Sequence, residues 1–122
     1  MSANGTFEVN MDPQEDAGFP AGRMLITKTY TGDMSGSGIG QMLSKRTEGG
    51  AAAYSAVEEF TGTLEGRTGG FTLIHTGYMS KDSQSLEVTI LEGPGTDELQ
   101  DNSGSMRIIQ GDGHKYELTY DV

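Results

Sequence analysis

Glu58 and His75 are the residues of this 122-residue chain whose types and placement could move a proton. Both fall in the stretch AAAYSAVEEFTGTLEGRTGGFTLIHTG, residues 51–77, which alternates as two strands joined by a glycine turn. Glu58 shares its parity with Tyr54, Ala56, Phe60 and Leu64; His75 shares its own with Phe71, Leu73 and Gly77. Successive strand side chains point to opposite faces, so the apolar sets turn inward and take the carboxylate and the imidazole with them. Desolvation on an apolar wall raises a carboxylate's pKa toward neutrality, where it can accept and return a proton at pH 7. Either Glu58 or His75 is then a candidate general base. Lys28, Tyr30, Tyr54 and Tyr116 are candidate donors to the negative charge that such a reaction develops. This chemistry suits an isomerase, cyclase or lyase acting on a small, mostly apolar molecule. A second reading makes Glu58, His75 and Lys28 a satisfied internal network that holds strand register and has no substrate.

The turn sets how near the pair stand. A two-residue turn at Gly66-Arg67 makes paired residue numbers sum to 133 and puts Glu58 opposite His75. A GRTG loop makes the sum 135, puts Phe60 opposite His75 and leaves Glu58 diagonal to it. Both registers keep the two on one face, at roughly 5–8 Å between Cβ atoms.

The elements that must position this pair are strands. Nineteen glycines, no tryptophan and threonine-rich runs between the glycines predict many short strands and tight turns. Residues 6–11 alternate with Phe7, Val9 and Met11 on one side, and an acidic loop follows in which Phe19 is predicted to plug one end of the core. Residues 23–30 form a second strand with Met24, Ile26, Lys28 and Tyr30 inward. An inward lysine needs a partner, for which Glu58 is the candidate, or else a strand end from which to snorkel. The run GSGIG at 36–40 lacks the spacing of a phosphate-binding fingerprint and reads as a turn or a strongly curved strand. Further strands are expected at 41–46, at 86–90 with Val88 inward, at 106–110, and at 114–122 with Tyr116, Leu118, Tyr120 and Val122 inward.

About eight strands in up-and-down order, with no helix, predict an all-β fold: one closed antiparallel barrel spanning residues 1–122, which removes exposed sheet edges. Eight strands enclose just enough room for side chains or one small ligand, and the small inward residues Ala56, Gly62 and Gly77 favour empty space. The expected ligand lining is Lys28, Tyr30, Tyr54, Phe60, Phe71, Leu73, Val88, Tyr116, Leu118 and Tyr120. A barrel of this kind serves equally as a non-enzymatic carrier or, if filled, as a structural oligomer. The outward apolar residues Leu25, Val57, Ile74, Tyr78 and Leu91 predict a homo-oligomer, with Val57, Ile74 and Tyr78 against another copy.

Charge and composition exclude other classes. Eight basic against eighteen acidic residues give a net charge of −10, which repels nucleic acid and anionic membrane surfaces. No apolar run approaches the ~18–20 residues of a membrane span. No cysteine is present, and two histidines without paired spacing do not make a metal site. Cofactor fingerprints and a serine-nucleophile elbow are absent, so no cofactor is expected. The first residues lack the features of a signal peptide, which predicts a cytoplasmic protein.

Four segments carry a resemblance: KTYTGDMSG at 28–36, EEFTGTLEGRTGGFTLIHTG at 58–77, GPGTDELQ at 93–100 and YELTYDV at 116–122. They are similar to a bacterial family, a domain of unknown function with an allene-oxide-cyclase-like barrel. The resemblance implies a closed antiparallel barrel of about eight strands with a central cavity. Related barrels include cyclising enzymes that work by shaping an apolar substrate in the lumen. Glu58 and His75 match family positions, whereas Glu59 stands where the family generally has arginine, on the outward parity.

Overall fold

The computed structural model describes residues 1–91, 96–99, 103–111 and 113–121. Among them the alternating segments form nine strands: β1 (Ser2–Gln14), β2 (Gly22–Gly32), β3 (Met34–Arg46), β4 (Ala52–Leu64), β5 (Arg67–Met79), β6 (Gln84–Ile90), β7 (Thr96–Asp97), β8 (Ser103–Gly111) and β9 (Gly113–Asp121). Eight of them close in the ring β4-β3-β2-β1-β9-β8-β6-β5, with β5 returning to β4, and every pairing is antiparallel. The two-residue β7 is an extra strand on Gly69 and Gly70 of β5. Among the described residues no helix is long and apolar enough to cross a membrane, a statement that does not concern strands.

The hairpin register differs from both expected ones. Leu64 pairs with Arg67, Glu58 with Leu73 and Ala56 with His75. The turn is Glu65-Gly66, with φ of 48° and 86°. Positive φ at both central residues is the type I′ geometry, whose twist matches the flanking strands. Glycine therefore stands second, and Glu65 itself takes the left-handed position. The shift is an even number of residues, so it leaves every side chain on its expected face.

GSGIG lies wholly inside β3, where Gly36, Gly38 and Gly40 pair with Tyr30, Lys28 and Ile26 of β2. The expected strand at 41–46 is only the second half of this element. Phe19 is 75% exposed and plugs nothing, because it sits in a tight turn closed by its own N–H to Asp16 O. The plug comes from the polar connection instead. Leu99 is fully buried in the core, carried in by β7 and by the Glu98 N–H bond to Thr68 O. Full burial of such a side chain contributes roughly 1.5–3 kcal/mol.

The interior is unevenly filled. Towards the turn end that holds Leu64 and Met34, the lumen is solid: Tyr30 meets Phe60 edge-on at 5.5 Å and Tyr116 at 5.6 Å, and Phe60 meets Phe71 at 5.1 Å. Tyr116 donates to Thr31 O and also receives the Met34 N–H at 2.8 Å, pinning the β2–β3 turn. Among the expected inward residues Phe60, Phe71, Leu73, Val88, Tyr116, Leu118 and Tyr120 are buried, as are Ile26, Tyr30 and Leu64, and Tyr54 is half-buried; Val122 lies outside the described residues. Towards the other end the lumen is hollow.

On the outer face, Leu25, Gln41, Val57 and Ile74 stand in register across β2 to β5. Ile39 and Leu43 flank Gln41, so an exposed apolar band crosses the barrel wall.

The two halves should respond oppositely to a change of volume. Leu73→Ala, in the solid half, should lower unfolding stability in urea by about 2–5 kcal/mol. Ala56→Leu, facing the hollow half, should cost less than the ~1–3 kcal/mol of overpacking a filled core. Equal costs would contradict the division.

Candidate functional site

The boundary between the two halves is polar. Glu58 on β4 is 2% exposed, and a carboxylate so placed needs donors to be tolerated. Its Oε1 receives Lys28 Nζ at 3.0 Å and His75 Nε2 at 2.8 Å, and its Oε2 receives the Tyr30 hydroxyl. Lys28 and His75 are themselves buried. The Lys28 ammonium also lies over the ring of Phe7, 4.7 Å from its centroid, a favourable contact with the ring's negative face. Lys28 therefore takes Glu58 as partner and does not snorkel.

The glycines of β3 make this possible. β3 runs between β2 and β4, so the Lys28 and Tyr30 side chains must cross over it to reach Glu58. A Cβ on Gly38 would stand 2.2 Å from Glu58 Oε2, and one on Gly40 would stand 2.8 Å from Val57 O. Only hydrogen fits at either place. The motif that resembles a phosphate loop is thus the gap through which an ion pair passes.

The donors reverse the expected titration of Glu58. Burial is the largest single influence and raises its pKa, but the His75 hydrogen bond, the Lys28 charge and the Tyr30 hydrogen bond together hold it below the ordinary carboxylate value. A raised pKa was expected from the apolar wall alone, and that expectation is corrected. Glu58 is an ionised acceptor of three hydrogen bonds and a poor base. Burial, then the neighbouring carboxylate, push the Tyr30 phenol upward, so Tyr30 is a permanent donor.

Above this floor opens a cavity of about 260 Å³. Lys28, Glu58 and His75 line its bottom, and Phe7, Val9, Ile26, Met42, Ala56 and Ile108 its sides. Tyr54 lies nearer the mouth, its ring filling the space that a side chain on Gly77 would need. Met11 and Met42 also border an adjoining cleft, where Met24 and Met79 join them.

Of the expected ligand-lining residues, Lys28 and Tyr54 line this cavity, as do Glu58 and His75. Tyr30 touches Glu58 from the solid side. Phe60, Phe71, Leu73, Val88, Tyr116, Leu118 and Tyr120 do not line it and are corrected to core residues, packed in one cluster. Strand parity puts a side chain inside the barrel but says nothing of its depth along the axis.

Sequence reasoning missed His114, which lines the cavity and stacks on Phe7 at 5.1 Å. Its parity with Tyr116 was the available signal. Among the described residues no three metal-ligating side chains converge.

Fold and site together define a single-layer, up-and-down β-barrel that is solid at one end and hollow at the other, with a buried Lys-Glu-His cluster between. The chain belongs to the family described as a protein of unknown function, DUF3224, which matches residues 3–120. The crystal structure of a protein of unknown function from that family, from Shewanella oneidensis MR-1, is similar with a TM-score of 0.89 and 32% identity, covering 99% of this chain and 96% of that one. No curated protein matches the chain.

Glu58 has a folded-state pKa below its ordinary 4.5, so folding favours its ionised form. Its contribution is full above pH 4.5 and vanishes as the pH falls through the folded-state value. Glu58→Gln should lose about 3–5 kcal/mol at pH 7 by orphaning buried Lys28. The gap to wild type should narrow on acidification in a pH series of urea melts. A gap unchanged from neutral to strongly acidic pH would contradict an ionised Glu58.

Proposed function

We propose that the barrel binds one small, mostly apolar molecule in its hollow half and carries out proton-transfer chemistry of the isomerase, cyclase or lyase type on it. The observation that supports this most strongly is the contrast within one lumen: packed aromatics on one side of the Lys28-Glu58-His75 floor and open space on the other. A network whose only task was strand register would sit equally well in a filled barrel. Here it faces a cavity with apolar sides, the arrangement by which ligand sites combine burial with a few orienting polar groups. Met11 and Met42, with Met24 and Met79 in the adjoining cleft, add soft, adaptable surface for an entering apolar body.

Because Glu58 is ionised and already accepts from three donors, its role in this reading is to hold His75, which takes over as the base. The carrier reading uses the same cavity without turnover.

The outer apolar band supports a proposal of self-association. Two copies that each carry a net charge of −10 repel one another, and they approach most easily through an apolar face. Ile39→Glu should then reduce the mass seen by light scattering at micromolar concentration while leaving the barrel folded. A wild-type monomer near 13.0 kDa would remove this part.

Indole, a small apolar probe, tests occupancy of the cup. Titration should move amide resonances around Ala56, Ile26 and Ile108, and Ala56→Leu should weaken binding by tenfold or more while circular dichroism stays that of the wild type. Unchanged affinity in Ala56→Leu, or no shifts in the wild type, would overturn the reading.

A further inference from the structure

The groups left unused at the floor say what the cup would take, an inference that rests on the proposed ligand-binding role. An ionised carboxylate only accepts hydrogen bonds, so the hydrogen of the His75–Glu58 bond sits on Nε2. Nδ1 is the ring nitrogen left over, and among the described residues it has no hydrogen-bond partner. The Lys28 ammonium has three donors. Among the described residues it makes one hydrogen bond, to Glu58, and otherwise faces the rings of Phe7 and Tyr30.

His75 and Lys28 both line the cavity, so the residues at its floor carry one free lone pair and spare ammonium donors. The His75 ring and the Lys28 ammonium are neighbours through Nε2 and Nζ, which both bond the same carboxylate oxygen. Apart from Tyr54 and His114, the remaining side chains that line it are apolar.

We infer that the cup takes a small carbonyl compound with an ionisable C–H beside the carbonyl, that His75 Nδ1 removes this proton, and that Lys28 Nζ holds the carbonyl oxygen. The C–H bond breaks and its electron pair becomes a carbon–carbon double bond. The carbonyl π pair moves onto oxygen, where the Lys28 donors stabilise the enolate. The proton rests on Nδ1, and Glu58, a positioning residue, stabilises the imidazolium from the opposite nitrogen. Return of a proton to the same carbon exchanges it with solvent, and return to the far carbon of an unsaturated ketone moves a double bond. No oxidant or second reactant is consumed.

A simple ketone would accept from Lys28 without filling the cavity, whereas a polar polyol would leave hydroxyls against Val9, Ile26 and Ile108. At 260 Å³ the space lies just under the range that holds drug-sized ligands, so the compound is smaller than these.

The test uses 2-indanone, with CH2 groups on both sides of its carbonyl. Proton NMR in D2O follows loss of those signals against the buffer rate, while amide shifts of β4 and β5 read binding separately. Wild type should accelerate exchange. His75→Gln should lower the acceleration at least ~10²-fold with the probe still bound, and Lys28→Met should lower it too. Nitrogen-15 shifts at pH 8 should show His75 protonated at Nε2 and bare at Nδ1.

Binding without acceleration overturns the proton transfer and leaves ligand binding standing. Failure of 2-indanone to bind where indole binds overturns the carbonyl class alone, and failure of both overturns the underlying reading. Loss of exchange in His114→Gln but not in His75→Gln overturns the assignment of the base. Should His75→Gln fail to fold, the wild-type His75 nitrogen-15 shifts decide: a hydrogen on Nδ1 at pH 8, or no response to 2-indanone, overturns it.

Discussion

A carboxylate that is 2% exposed must be surrounded by donors, and the barrel is arranged to bring three of them to Glu58. Removing an ion from water costs several kcal/mol even after relaxation, and only good geometry with every lone pair used offsets it. Lys28 and Tyr30 come from β2, His75 comes from β5, and Glu58 stands on β4 between them. β3 separates two of these strands, so it has to be bare where the side chains cross. Gly38 and Gly40 are the consequence. The ion pair, the glycine-rich strand and the ring order are one constraint seen three ways.

The same constraint divides the lumen. Below the cluster, aromatic rings fill the space, and their hydroxyls serve the turns, as Tyr116 does for residues 31–34. Above it, the inward positions of β3, β4 and β5 carry Gly40, Ala56 and Gly77, which leave room that only the Tyr54 ring partly takes. A polar floor under an apolar cup is the outcome. With Glu58 held by three donors, the proposed reactivity falls to the groups that hold it, namely the far nitrogen of His75 and the spare donors of Lys28. A cluster can thus tie three strands together and still line a cavity.

Much of the fold was legible in the chain. Period-two alternation put Lys28, Glu58 and His75 on the inner face, and glycine-punctuated strands in consecutive order implied a closed barrel, because only closure removes the edges. These inferences survive a shift of register by two, since parity is unchanged. Phe19 and Leu99 mark the limit of such reasoning. An aromatic residue in an acidic loop looked like the plug, but the local turn leaves it in solvent. Leu99 sat in a polar connection, and it is buried because β7 docks on Gly69 and Gly70.

By itself the sequence determined which faces the side chains take, the kind of fold and the candidates for the polar cluster, because these follow from local backbone geometry and from the cost of an unpaired buried charge. Tertiary structure decided depth and titration. Whether Glu65 or Gly66 leads the turn sets the register, and so the level along the axis at which each inward residue meets its neighbours. Phe60, Phe71, Leu73, Val88, Tyr116, Leu118 and Tyr120 lie at the level of the packed cluster rather than along the cavity. The sign of the Glu58 pKa shift depended on three donors from two other strands converging on one carboxylate, against a burial effect that alone would have raised it. No period within a single strand carries that information.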